Sequence, residues 1–186
     1  MRRMTMALLF TLVSLTARGD VTDSAAGGFG IEHARTVPLA PAEAWAAFVD
    51  EVGQWWNGDH TWFGDASALS IDAQAGGCFC ERGADGSVTH LDVGMARPGH
   101  TLRLLGGLGP LQELGVAGAM SIDFEGEGEG EGRGTRLRLV YRVSGYTPGG
   151  LEAWAGPVDG VLAEQLDRFA VHARRIAERD GGRSER

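Results

Sequence analysis

Glu81 and His90 are the first pair in this chain whose types and spacing could do chemistry. If Ala84 and Asp85 form the tip of a two-residue hairpin, Glu81 faces Val88, and Phe79 faces His90. Alternate residues of a strand share a face, so Glu81, His90 and Phe79 then lie on one side of the hairpin, and Cys78, Cys80, Leu91 and Val93 on the other. A carboxylate diagonal to an imidazole either orients a proton-transfer histidine, fixes a ligand hydroxyl, or is a solvated surface pair. The more apolar cysteine side competes for the interior. His60, flanked by Asp59 and Asp65, is a second candidate acid or ligand group.

Other chemistries are excluded or left without support. The chain contains no lysine, which removes the phosphate-loop lysine, Schiff-base chemistry and the Ser-x-x-Lys acylation pair. The same absence follows from a codon bias that favours Arg, Ala and Gly. No catalytic triad is visible. Cys78 and Cys80 are the two cysteines; on a flat strand the Cβ atoms of residues i and i+2 lie roughly 6–7 Å apart, so the expectation is two small, partly buried thiols without a mutual disulfide. The same register turns both away from His90, so no metal site is expected, and nothing calls for a cofactor. The alternating Glu and Gly of residues 125–132 read as a solvated acidic hairpin tip rather than a calcium cage.

Aromatic residues supply the binding candidates. Three of the five tryptophans, Trp55, Trp56 and Trp62, fall within eight residues of one another and are joined by Phe63. They form either the mouth of a pocket or ordinary core packing beneath a loop. Phe79, Gln112, Tyr141 and Trp154 complete the expected ligand-binding set. The stretch 106–112 lacks both the dinucleotide glycine spacing and any lysine, so it is either a lid over a cavity or a simple connection.

These residues need elements to position them. Residues 31–37 read as a strand ended by Pro38, and Pro41 opens a helix whose apolar positions Ala44, Trp45, Phe48 and Val49 recur at helical spacing until Gly53. Short strands follow at 68–73, 77–81, 87–95, 101–106, 117–125 and 135–143, divided by turn residues such as Asp85-Gly86 and Pro98-Gly99. From Leu151 the apolar residues follow a three-to-four spacing that predicts one long amphipathic helix, kinked or restarted at Gly156-Pro157. The fold class is therefore α+β: a curved antiparallel sheet wrapped around a long C-terminal helix, with two short helices after the first strand and a cavity where sheet and helix part.

The expected domain spans residues 27–179, with residues 180–186 expected as a disordered tail. Residues 1–19 read as an export signal, with Arg2 and Arg3 before a short apolar stretch and Ala17-Arg18-Gly19 as the cleavage site; a second small-x-small site allows cleavage as late as residue 26. The apolar stretch is shorter than the ~20 residues a membrane span needs. The expectation is a periplasmic or secreted protein without stable membrane insertion. A net charge of −8 and the lack of concentrated basic residues argue against nucleic acid as a partner.

From residue 31 to about 177 the chain resembles the SRPBCC superfamily, also called START-like or birch-pollen-allergen-like, with its helix-grip fold. Within it, the chain is most similar to the branch of activators of heat-shock-chaperone ATPase. The resemblance rests on Pro38-x-x-Pro41-x-x-x-Trp45, Trp55-Trp56, the stretch from Gly76 to Glu81, Val93-x-x-x-x-Pro98-Gly99-x-x-Leu102-x-Leu104 and Gly134-Thr135-x-Leu137-x-Leu139. It implies a hydrophobic cavity used for lipids, hormones or polyketides. The export-like start sets the chain apart from a cytosolic co-chaperone. Three functions follow as expectations: an exported binding protein for a small hydrophobic ligand; a polyketide cyclase or dehydratase-like enzyme using Glu81, His90 or His60; and a protein-interaction or folding-assistance module.

Overall fold

The computed structural model describes residues 20–128 and 134–184. Its sheet has eight antiparallel strands in the order β1-β2-β8-β7-β6-β5-β4-β3. In chain order these are β1 (Asp20–Ala25), β2 (Gly28–Val37), β3 (Leu69–Ile71), β4 (Cys78–Gly83), β5 (Gly86–Arg97), β6 (Thr101–Leu105), β7 (Ala117–Glu127) and β8 (Gly134–Ser144). The sheet curves without closing, so β1 and β3 are its two edges. Helices α1 (Pro41–Asp50) and α2 (Val52–Trp55) follow β2, and α3 (Glu152–Ser184) closes the domain across the sheet's concave face. This is the expected helix-grip α+β fold.

Local sequence accounts for most of the boundaries. Pro41 stands at the first position of α1, where its missing N–H costs nothing, and the Glu43 carboxylate accepts from the Ala40 N–H at 3.1 Å. Ala84 and Asp85 form the tip of the β4–β5 hairpin, since Gly83 pairs with Gly86 and Glu81 with Val88. The hairpin joining β5 to β6 turns at Gly99, whose φ of +72° suits glycine. The strand β1 lies outside the expected elements; it pairs along β2 through Glu32. The β7–β8 ladder runs out to Glu127 opposite Gly134, while residues 129–133 of the Glu-Gly repeat, like residues 1–19 of the export signal, lie outside the described residues.

Two expectations are corrected here. The long helix does not restart at Gly156-Pro157 but runs from Glu152 through Pro157, and it continues beyond residue 179 to Ser184. Pro157 lies early in α3, where one missing backbone donor removes a single i→i−4 bond, and tertiary packing supports the turn. Cys78 and Cys80 are joined as a disulfide. Their Cα atoms are 5.4 Å apart, inside the range a disulfide spans and closer than alternate residues of a flat strand.

The space beneath α3 is mostly solid. Phe48 meets Trp55, Phe124 and Phe169 at ring-centroid distances of 4.8, 5.7 and 5.1 Å. Offset and edge-on aromatic contacts of this kind add to the burial that drives folding. Leu102, Ile122, Leu137, Leu162 and Leu166 fill more of it, and the deep void that Ile122, Leu162 and Leu166 border measures only about 20 Å³. That is close to one water molecule's worth of room. The open volume where sheet and helix part lies at one end of their interface.

Candidate functional site

An open cleft of about 320 Å³ lies at that end, between the first half of α3, the loop after α2 and the loop that joins β6 to β7. Its helix wall is Trp154, Pro157, Val158 and Val161, which project from one face because they are spaced at three and four residues. Across from them Trp56 and Trp62 come from the loop side, and Leu108, Pro110 and Leu111 from the β6–β7 connection. The polar groups among its lining are few: His90, His60, Asp59 and Thr61.

His90 reaches the cleft because of a bulge. Phe79 pairs with Leu91 and Cys80 with Thr89, which leaves His90 as the extra residue of β5. The expected opposition of Phe79 and His90 is thus off by one residue. The bulge changes which side chains point inward: His90 and Leu91 are consecutive yet both buried, and Val93 follows Leu91 inside. Glu81, His90 and Phe79 do share the interior face, but Leu91 and Val93 share it too. The solvated-surface alternative is corrected by burial, Glu81 being 0% and His90 5% exposed.

Three N–H donors converge on the Glu81 carboxylate. Trp62 N lies 2.9 Å from Oε2, Phe63 N lies 2.7 Å from Oε1, and His90 Nε2 lies 3.0 Å from Oε2. A buried carboxylate needs such partners, and here they also fix two parts of the site at once: the backbone beneath Trp62 and the ring of His90. The imidazole is packed against Phe79 at 4.9 Å, and Phe79 against Trp56 at 5.1 Å. Burial pushes the His90 pKa below its ordinary value, against the opposing pull of Glu81. The ring is accordingly neutral at neutral pH, with its hydrogen on Nε2 toward the carboxylate and Nδ1 as the acceptor.

His60 stands at the mouth. Its Nε2 lies 3.3 Å from Glu164 Oε2 on α3, while Trp56 Nε1 donates to His60 O at 3.0 Å. The same stretch of α3 holds the loop again at Asn57, whose N–H donates to Gln165 Oε1 at 2.8 Å and whose Nδ2 donates to Glu164 Oε1 at 2.6 Å. The β6–β7 connection is anchored as firmly. Tyr141 Oη donates to Gly106 O and accepts from Leu108 N, both at 2.9 Å, and burial pushes its phenol pKa up to about 12. Gln112 Nε2 donates to Thr89 O at 2.8 Å and to His90 O at 3.2 Å.

Of the ligand-binding residues expected from the sequence, Trp56, Trp62 and Trp154 line the cleft together with His60 and His90. The others lie elsewhere. Trp55 belongs to the core, its Nε1 donating to Phe48 O at 3.2 Å. Phe79 backs His90 and Trp56 from inside, Gln112 and Tyr141 hold the loop that forms a wall, and the ring of Phe63 covers Gly83 and Gly86 at the β4–β5 tip. Leu108 and Leu111 come from the 106–112 stretch read as a lid or a simple connection, while Pro157, Val158 and Val161 are not among the expected site residues. The helical ones had a readable signal, because positions 154, 157, 158 and 161 make one stripe, but an apolar stripe reads equally well as core. Among the described residues no three His, Cys, Asp or Glu side chains converge as metal ligands.

No family model matches the chain, and no curated protein matches it. Solved structures do. EF2215 of Enterococcus faecalis, a conserved protein of unknown function, superposes with a TM-score of 0.54 at 12% identity, over 87% of this chain and 78% of its own. CalU16 of Micromonospora echinospora gives 0.52 at 16% identity, over 82% of this chain and 80% of its own. DynU16, from the dynemicin biosynthetic locus, gives 0.50 at 18% identity, over 77% of this chain and 46% of its own. The fold is shared. At these identities the likeness speaks to architecture alone.

Proposed function

We propose that this protein holds a small, apolar, ring-bearing molecule in the end cleft. The observation that carries the reading is the cleft itself: about 320 Å³ walled by three indoles and by apolar residues of α3, with few polar groups. Small-molecule sites have this make-up and begin at roughly 300 Å³. The reading treats the chain as a ligand-holding protein of SRPBCC type rather than as a chaperone activator. DynU16's place in a biosynthetic locus makes a small-molecule role the natural one to test first.

Equilibrium dialysis with naphthalene, 2-naphthol and 2-methoxynaphthalene tests it. One saturable site is expected, weakened about tenfold or more by Val158→Trp, which fills the cleft from the helix side. Failure of all three probes to bind the wild-type protein saturably overturns the reading.

The buried Glu81–His90 pair favours a second reading, a proton-transfer enzyme of the polyketide cyclase or dehydratase type. Single Ala replacements of His90, His60 and Glu81 separate the two. Lost turnover with ligand affinity kept within a few-fold supports the enzyme, and absence of any turnover leaves the binding protein.

Export remains part of the proposal, resting on the basic, apolar and small-residue order of residues 1–19. Cleavage after residue 19 leaves β1 in the mature chain, whereas cleavage after residue 26 removes it altogether. Sequencing the mature N-terminus from an envelope fraction is expected to start at Asp20; recovery only of the full-length chain in the cytosol overturns export.

A further inference from the structure

The chemical class of the ligand can be narrowed, on the condition that the ligand-holding reading above is correct. Glu81 occupies the Nε2 side of the His90 ring, and Phe79 packs against the ring at 4.9 Å, so Nδ1 is the ring nitrogen left to meet a guest. A nitrogen without hydrogen accepts and cannot donate. A guest that sets a hydroxyl there gains a hydrogen bond to a ring that is only 5% exposed. A guest of the same shape without the hydroxyl leaves a buried acceptor unpaired, and sites built around a hydrogen bond discriminate most strongly against that loss.

The charges around the mouth restrict the class further. Asp59 lines the cleft, and Glu164 stands 3.3 Å from His60, so the fixed charge nearest the guest is acidic. Among the described residues that line the cleft there is no arginine, and the chain has no lysine, so no permanent cation meets an anionic guest there. Burying an unpaired carboxylate or sulfonate among indole and proline side chains is costly. Trp56, Trp62 and Trp154 offer ring faces to an aromatic body.

From this juxtaposition we propose that the cleft selects neutral aromatic alcohols, with the ring among the three indoles and the hydroxyl donating to His90 Nδ1. His90 is the specificity-determining residue, and Glu81 makes it an acceptor by taking the other nitrogen. Three probes of nearly equal shape test the class by equilibrium dialysis: 2-naphthol, its methyl ether 2-methoxynaphthalene, and the anion 2-naphthoate. The wild-type protein is expected to bind 2-naphthol about tenfold or more tightly than the ether, with 2-naphthoate weakest. His90→Phe is expected to bring 2-naphthol and the ether to equal affinity. Equal binding of those two by the wild-type protein overturns the hydroxyl selectivity and leaves the ligand-holding reading in place. Tightest binding of 2-naphthoate overturns the neutral class. Absence of binding by all three overturns the underlying reading itself. The wild-type comparison decides the matter even if the His90 variant fails to fold.

Discussion

His33 and His90 are both buried, and in both the cost of burying charge outweighs a neighbouring carboxylate and lowers the pKa. His33 Nε2 lies 3.0 Å from Asp159 Oδ1, yet both atoms sit off the hydrogen-bonding line, so Asp159 compensates only in part. The sign for stability follows from these two shifts. An unfolded histidine takes up a proton near pH ~6.5, while the folded protein resists until lower pH, so the unfolded state binds more protons in between. Stability is complete above about pH 6.5 and declines as the pH falls from there toward the folded-state values. The urea midpoint is expected to be lower at about pH 5.5 than at about pH 7.5, and His90→Phe should flatten part of that slope. A midpoint that rises on acidification contradicts the assignment. Tyr141 allows a sharper test, since its hydroxyl serves both Gly106 O and Leu108 N. Tyr141→Phe is expected to cost about 1–3 kcal/mol by urea denaturation, through two partly buried backbone groups left unpaired.

The elements were legible where local chemistry dictates them. Pro41, the Ala84–Asp85 tip and the three-to-four spacing after Leu151 all mark features that the structure contains. What escaped the sequence was decided by tertiary context. A bulge shows no composition of its own, so the extra residue at His90 and the inward turn of Leu91 and Val93 could not be read from alternation. Alternation likewise does not show that the Cα atoms of Cys78 and Cys80 approach to 5.4 Å, within disulfide reach. β1 carries the polar sequence DVTDSA, and it pairs as an edge strand, which needs one neighbour and little apolar content. Removal of residues 20–26 is expected to lower the melting temperature by several degrees, because it deletes this ladder and the bond from Leu151 N to Ala26 O at the start of α3. Close approach sets a further constraint on β7: a Cβ at Gly118 would run into Gly106 O and Tyr141. Gly118→Ala is therefore expected to destabilise by roughly 1–3 kcal/mol, measured by the same urea titration.

At the scale of the molecule, the packed interior and the end cleft are separate features, which a sequence with one continuous apolar stripe on α3 cannot distinguish. Trp154, Pro157, Val158 and Val161 face the opening, whereas Leu162, Leu166 and Phe169 seal the remainder of the sheet–helix interface. Phe169→Ala is expected to cost about 3–5 kcal/mol by denaturation, and to leave 2-naphthol affinity in the cleft within a few-fold. Loss of both together would mean that the two regions form one space. The arrangement also distributes the indoles unequally: Trp45 and Trp55 are 7% and 2% exposed, while Trp62 at the rim is 46% exposed. The molecule thereby carries its own optical reporter. Light emitted by the sheltered rings lies toward the blue and tracks unfolding, whereas the red edge of the spectrum comes chiefly from the rim, where an arriving guest would dim or shift it without disturbing the rest.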